Sequence, residues 1–385
     1  AGAVKLTCSA QVLYGLEEER HSRRCGLAIL DMDISAYSRL TQILTSAVDP
    51  SAYISAEVDM DALWEFFFHT GFIYPKKYRL IQSHRKTFKE TYQRLYQENP
   101  EIVRHFISQK NGRIYGHLSM VRAYQRSWLI HHHAARNMGN KRTGFMVLKQ
   151  ILYYLNGMYR LPTANMDYVM CYYRPDSKFP DIVFGGFERD LNDLRGCSMD
   201  LFSYLPYTRL SLGAPLPDEW SLKESSKLDF WELNRFYSHQ SGGLLLNLLG
   251  LDTGASVTNS LEEVYARRGF LRKWRTYSLK HKGELNAVLI VDQSDLGFNL
   301  SELLNGIKVI ITNPEGLPWN TLSTAISQLT GRFQTERIPV MLYPFSYVED
   351  YEIPCEKQYQ AWILNLQYGN EYLEYMQRRF KASYR

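Results

Sequence analysis

The sequence predicts an α/β (α+β) protein of more than one domain: two mixed sheets flanked by helices, plus a small N-terminal β/α segment. Three observations lead there. The 385 residues exceed a single ordinary domain of roughly 100–200 residues. Short apolar runs of strand length alternate with stretches whose apolar residues recur at helical spacing. That order of elements comes twice along the chain without visible sequence identity, the pattern of strands and helices packed in layers.

Residues 1–50 form the N-terminal segment. VKLTCSAQVLYGL has β character, CGLAILDMD is a short apolar strand, and ISAYSRLTQILTSA has helical spacing with Asp33 placed to cap it. A piece of about fifty residues makes a small core, so it is expected to dock on the rest or to be the tail of a larger domain. Residues 51–207 form a first domain. DALWEFFFHTGF and SHRKTFKETYQRLYQENPEIVRHFIS are helical, and GRIYGHLSMVRAYQRSWLIHHHAA gives two strands with a turn near Gln125–Ser127. The turn RNMGNKRTG leads into the helix FMVLKQILYYLNGMYR, and MDYVMCYYRPD and DIVFGGF are read as strands. Residues 208–224, with Pro, Gly and Ser and no periodicity, are the expected linker. Residues 225–385 repeat the order: a helix (LDFWELNRFYSHQSG), three strands (RKWRTYSLKHK, LNAVLIVDQS, IKVIITN) and a helix over Pro318–Leu329. The strands IPVMLYPF and EKQYQAWILNL and the terminal helix NEYLEYMQRRFKA complete it.

Composition narrows the function classes. Net charge is +5, from 45 Lys+Arg against 40 Asp+Glu, with no long basic run, so nucleic-acid binding through a basic stripe is not expected. The five cysteines (Cys8, Cys25, Cys171, Cys197, Cys355) are odd in number, scattered and without CxxC spacing. That argues against a disulfide framework or a zinc ribbon and fits a reducing cytoplasm. No stretch reaches about 18 uncharged apolar residues, so no membrane span is expected. The N-terminus lacks the basic start and apolar core of a signal peptide. The 28 Tyr, 18 Phe and 7 Trp suit large cores with tyrosine hydroxyls at their margins, or rings that face a ligand.

The segment richest in chemistry is Trp128–Tyr159. A strand runs into Arg136, Asn137, Met138, Gly139, Asn140, Lys141, Arg142, Thr143 and Gly144, and then directly into an amphipathic helix. The first amides of a helix have no intrahelical partner and the macrodipole adds positive charge, so such a turn is an anion site; glycine lets the backbone approach a phosphate. Arg136, Lys141 and Arg142 would add cations. An ordinary surface connection has the same composition, so both readings stand.

This strand, basic turn and helix resemble the acyl-CoA motif of the GNAT superfamily of N-acyltransferases, Gln/Arg-x-x-Gly-x-Gly/Ala. Arg136 and Gly139 match its first two fixed positions, and Lys141 stands where Gly or Ala is usual, with Gly144 near enough to take over close approach. The resemblance implies that acyl-CoA (acetyl-CoA or longer) is the co-substrate, with its pyrophosphate on residues 136–142 and Gly144. It also implies a bulge in the preceding strand that splays two strands to admit the pantetheine. Residues 225–385 resemble a second, degenerate GNAT fold, with Tyr265-Ala-Arg-Arg-Gly269-Phe270 similar to a Y-x-x-x-G-F element. There only PEGL precedes the helix, so the phosphate cradle is missing and one CoA site is expected, not two.

Acyl transfer needs a deprotonated amine and a proton for the departing thiolate. The resemblance implies Tyr173 or Tyr172 as the acid; a packed ring is the other reading of each. In His131-His132-His133 the side chains of a regular strand alternate, so at most two share a side. No Cys or carboxylate cluster completes a ligand set, and no metal is expected. His133 or His131 would instead face an acceptor groove, where imidazole can act as a base. Cys171 is read as a buried strand residue. The N-terminal segment has a weaker resemblance to the PilZ domain, the cyclic di-GMP receptor module: Arg20-His-Ser-Arg-Arg24 fits R-x-x-x-R, and Asp33-Ile-Ser35 is similar to its D-x-S, with Ser38 where a glycine is usual. These resemblances together imply a cytoplasmic acyltransferase acting on a small-molecule or peptide amine. The alternative is a non-catalytic GNAT-fold regulator that responds to cyclic di-GMP or another nucleotide.

Overall fold

Apolar runs without polar alternation become central strands here because helices cover both of their faces. The computed structural model describes residues 5–18, 22–48, 52–54, 58–98, 101–136, 143–208, 215–252 and 260–380. At the N-terminus, β1 (Cys8–Glu18) and β2 (Ser22–Met32) pair as an antiparallel hairpin apart from the main sheet and lead into α1 (Ile34–Val48). The Asp33 carboxylate accepts from the amides of Ser35 and Ala36, so the D-x-S pattern is accounted for as a helix start. Arg20 lies outside the described residues. Helix α1 docks on the rest: Tyr37 donates to the Tyr154 carbonyl and Arg104 Nη2 to the Ile34 carbonyl, both at 3.0 Å.

The first half then runs through β3 (Ala52–Ile54), α2 (Met60–His69), α3 (Pro75–Ile81) and α4 (Arg85–Glu98) into the meander β4 (Val103–Lys110), β5 (Arg113–Tyr124) and β6 (Ser127–Ala135). Helix α5 (Thr143–Met158) is the crossover to β7 (Tyr168–Tyr173), which pairs parallel to β6. Next, α6 (Lys178–Pro180) continues through one π-helical turn, Asp181–Gly185, into α7 (Gly186–Leu191), and β8 (Cys197–Thr208) follows. The second half has β9 (Trp220–Glu224), α8 (Lys227–Gln240), α9 (Leu245–Leu249), α10 (Ser260–Arg267), β10 (Arg272–His281), β11 (Glu284–Ser294) and β12 (Gly306–Ile311). It ends with α11 (Trp319–Thr330), β13 (Arg337–Tyr343), α12 (Phe345–Asp350), β14 (Lys357–Asn365) and α13 (Gly369–Phe380).

Three local expectations change, the first at the end of SHRKTFKETYQRLYQENPEIVRHFIS: read as helical throughout, it leaves α4 at Glu98 and is strand β4 from Val103, where Val103, Phe106 and Ile107 are buried in the sheet. DIVFGGF, read as a strand, is helical. Val183, Phe184 and Phe187 fall on one helical face, with Phe184 4.9 Å from the Trp362 ring and Phe187 4.7 Å from that of Tyr372. The Gly185–Gly186 pair hides that period in so short a run. The stretch expected to be a linker ends in an edge strand, since β9 pairs with β10 from Trp220 to Glu224.

Instead of two separate sheets, the halves share one sheet of twelve strands in the order β3-β4-β5-β6-β7-β14-β8-β13-β12-β11-β10-β9. Each half contributes its last strand to the other: β14 lies between β7 and β8, and β8 between β14 and β13. The halves therefore mirror one another across the β14–β8 pair. On one sheet face α5, α7 and α13 cover the first half and α11 and α12 the second. On the other, α2, α4, α8 and α9 cover a core common to both.

That common core contains ions. Asp292 accepts from Arg272 Nη2 at 2.7 Å, from Lys308 Nζ at 2.5 Å and from the Tyr124 hydroxyl at 3.2 Å, all buried. Arg272 Nη2 also donates to the Ala123 carbonyl at 2.9 Å, so the cluster joins β5 of one half to β10–β12 of the other. Replacing Asp292 by Asn leaves two buried cations facing no carboxylate. We expect Asp292→Asn to cost about 3–5 kcal/mol in denaturant unfolding; a loss under about 1 kcal/mol, the scale of an exposed pair, would contradict this account of the core.

Candidate functional site

The site begins at a fault in β6. Its register on β5 shifts between His117 and Ser119, so one residue of β5 faces two of β6, and His132 takes φ +53°. A residue other than glycine in this region marks a bulge that re-aims the chain. The fault also corrects the expected alternation of the three histidines. His131 and His132 stack on one face, with ring centroids 3.9 Å apart, whereas His133 turns to the α5 face.

Beyond the bulge the sheet opens. The parallel β6–β7 pairing runs only from Ser127↔Tyr168 to Ile130↔Cys171, while β6 continues to Ala135 and β7 to Tyr173. Neighbouring strands that stop exchanging hydrogen bonds leave backbone amides and carbonyls for another partner. On the α5 side of this split, His133 Nε2 donates to the Gly144 carbonyl at 3.1 Å; only the donor role is open to nitrogen opposite a carbonyl. Burial lowers the His133 pKa and this bond opposes the shift. A Cβ on Gly144 would sit 3.2 Å from that of Ala135, so glycine lets the first turn of α5 close onto β6.

The candidates from the basic turn divide. Arg136 is described: its amide donates to the Tyr115 carbonyl at 2.8 Å, its guanidinium lies 5.3 Å from the Phe66 ring centre, and its Nε has no hydrogen-bond partner among the described residues. Asn137, Met138, Gly139, Asn140, Lys141 and Arg142 lie outside the described residues. Thr143 and Gly144 open α5.

Tyr172 and Tyr173 point to opposite faces. Tyr173 lies on the α5 face, its ring 6.0 Å from Phe184 and its hydroxyl 3.2 Å from Met199 Sδ. Tyr172 lies on the common core between Phe202 and Tyr359, and its buried hydroxyl has no hydrogen-bond partner among the described residues. Burial raises both phenol pKa values. Cys171 is buried, as read from the sequence, and burial pushes its thiol up, away from the thiolate a nucleophile needs.

On the common-core side the floor of the split is a histidine cluster that sequence reasoning missed. His105 stacks on Tyr96 at 4.2 Å, His117 Nδ1 donates to the His132 carbonyl at 3.2 Å, and the Tyr92 hydroxyl meets His132 Nε2 at 3.2 Å. His131 is 5% exposed, and neither ring nitrogen has a hydrogen-bond partner among the described residues. Desolvation lowers His117 to about 4 against its bond to the His132 carbonyl, and desolvation together with the charges of His117 and Lys77 lowers His131 to about 3. The sequence signal was His117 and Ser119 two apart on β5, with His105 on β4. Among the described residues no group of three or more His, Cys, Asp or Glu could hold a metal. No described helix is long and apolar enough to cross a membrane.

Among the described residues the second half shows no such opening. Pairing of β12 with β13 extends to Ile310↔Tyr343, at the end of β13, and β11–β12 shows no register shift. Leu244, Leu245, Leu246, Leu248, Leu249 and Leu251, in and beside α9, are buried on its common-core face. The Y-x-x-x-G-F element is structural: Gly269 at φ +72° lies just beyond α10, and the Tyr265 hydroxyl donates to the Arg122 carbonyl at 2.8 Å.

No family model matches the sequence, and no curated protein matches it. Among solved structures, the chain is similar to a putative acetyltransferase from Pyrococcus horikoshii, at 11% identity and TM-score 0.39 over 82% of this chain and 89% of that one. It is also similar to a GCN5-related N-acetyltransferase from Sphaerobacter thermophilus, at 10% identity and TM-score 0.38 over 82% and 96%. A tandem GNAT protein from the clavulanic acid biosynthesis pathway matches at 12% identity and TM-score 0.33 over 69% and 83%. At these identities the likeness is one of fold alone.

Proposed function

We propose that the chain transfers an acyl group from a CoA thioester to an amine at the split between β6 and β7. The observation that carries this reading is the loss of β6–β7 pairing after Ile130 and Cys171, next to the bulge at His132. An opened parallel pair offers unpaired backbone groups to an extended amide-bearing chain, and pantetheine is such a chain. Arg136 and the first turn of α5 stand at the end of the split where a pyrophosphate would lie, and residues 137–142, which carry the motif's glycine as Gly139 and depart from it at Lys141, connect them in sequence. The cofactor supplies the activated thioester; the chain's own residues bind it, exclude water and move protons. Tyr172, with a buried and unpartnered hydroxyl, is the better placed of the two tyrosines to give a proton to a leaving thiolate, while Tyr173 is turned toward Met199. His133 spends Nε2 on Gly144 and keeps Nδ1 for proton transfer.

Replacing Gly139 with Val puts a β-branched side chain where the backbone would meet phosphate. We expect CoA affinity to fall by more than about tenfold, or about 1.4 kcal/mol, with the melting temperature little changed. Calorimetry that gives Gly139→Val and the unmodified chain equal affinities would remove the basic turn from the site.

A further inference from the structure

We propose that the second half is a positioning element for the split: through Tyr92 and the ring of His132 it holds the β6 bulge in the form that opens the β6–β7 pair. This rests on the acyltransferase reading of the split. A residue other than glycine at φ +53° is strained and persists only where its surroundings fix it. Two side chains fix His132. On β5, His117 Nδ1 donates to the His132 carbonyl at 3.2 Å, and on α4 the Tyr92 hydroxyl lies 3.2 Å from His132 Nε2. The Tyr92 hydroxyl also donates to the Phe298 carbonyl, at 3.2 Å, and it has one hydrogen to give. Its oxygen therefore accepts from His132, whose Nε2 carries the proton. The chain of donors runs one way, from the bulge through α4 to the second half.

Phe298 belongs to a short 3₁₀ segment of the second half, Leu296–Ser301, that packs on α4. Its ring lies 5.8 Å from that of Tyr265 and 5.4 Å from that of Phe270, the aromatic residues of the Y-x-x-x-G-F element, and all three are buried. A Cβ on the preceding Gly297 would collide with Cβ and Oγ1 of Thr91, the neighbour of Tyr92 in α4. Glycine is thus what lets the segment reach the turn that carries Tyr92. Tyr92 and His132 are each 2% exposed, so bulk water is not at hand to replace either partner. Without the hydroxyl, His132 Nε2 and the Phe298 carbonyl lose their bonds, and the bulge becomes one state among several. A ligand that needs the open split then binds more weakly, in proportion to the population that stays open.

The test compares Tyr92→Phe with Tyr347→Phe in the full chain. Tyr347, on α12 and the other sheet face, is a control whose buried hydroxyl donates to the Leu317 carbonyl at 2.9 Å. Both variants should lower the melting temperature alike. Calorimetric titration of CoA is expected to show affinity at least about fivefold weaker in Tyr92→Phe and unchanged in Tyr347→Phe. His117→Leu should behave as Tyr92→Phe does, and His117→Asn, whose amide nitrogen takes the place of Nδ1, should recover most of the affinity. Amide exchange over residues 131–135, followed without ligand, should be at least about fivefold faster in Tyr92→Phe than in Tyr347→Phe. Equal exchange at the bulge in the two tyrosine variants, equal loss of CoA affinity in both, or no recovery in His117→Asn would each overturn the proposal. Failure of the unmodified chain to bind CoA would overturn the acyltransferase reading instead, and the exchange comparison would still decide whether the second half holds the bulge.

Discussion

A chain ending at residue 208 is expected to give no cooperative thermal transition, although residues 51–208 carry every element of the first half. The reason is the exchange of strands. Removing β14 leaves β7 and β8 without their shared neighbour and exposes the edges of both. It also takes Trp362, Leu364, Tyr372, Met376 and Phe380 out of the core beneath α5. Several of these are fully buried, and each large side chain lost from such a core is worth about 3–5 kcal/mol, together more than the 5–15 kcal/mol that holds an ordinary domain. Supplying residues 215–385 in trans should restore the transition. A sharp two-state melt of 51–208 alone would show that the halves are independent and that β14 adds little.

Acid should destabilise the full chain before ordinary carboxylates begin to titrate. In the unfolded chain a histidine takes up its proton near pH 6.5, whereas His117 and His131 in the fold resist it until about 4 and about 3, and His132 is held well below its usual value. The unfolded state therefore binds more protons below pH 6.5. Stability is complete above that pH and is lost as the pH falls toward the folded-state values. Each buried neutral histidine should contribute about 2 kcal/mol of that loss by pH 5. Melting temperature measured from pH 7.5 to 5 should fall steeply, and His131→Leu should flatten the fall by about one histidine's share. Among the described residues Tyr92, Tyr96 and His105 pack against the cluster, and charge on Lys77 or His133 opposes its protonation further. A melting temperature independent of pH over this range would mean that water reaches the cluster.

The fold class was legible in the sequence because its evidence is local. Period-2 and period-3.6 runs mark β10 to β12, α5 and α11 within a few residues, and the twofold recurrence of order is the mirrored sheet seen from along the chain. What could not be read is who pairs with whom. EKQYQAWILNL is recognisable as a strand, but nothing in its residues says that it lies between β7 and β8. That choice depends on two edges far apart in the chain, and pairing is decided by what each edge otherwise lacks. DIVFGGF was misread because two glycines erase the helical period in a short run. At the site, the basic turn and the three histidines were visible as composition. The bulge was expected only through the resemblance, and its place was not legible, since φ +53° at His132 is a property of its neighbours on β5; without that place the faces of His131 and His133 were assigned to one side.

The central claim is that a single opened strand pair holds an acyl-CoA, and calorimetric titration of CoA into the full chain tests it most directly. Because β6 and β7 part after Ile130 and Cys171 while β12 and β13 stay paired to the end, the account predicts saturable binding with a stoichiometry near one, reduced by Gly139→Val. No binding at millimolar CoA, or a stoichiometry near two, would contradict it.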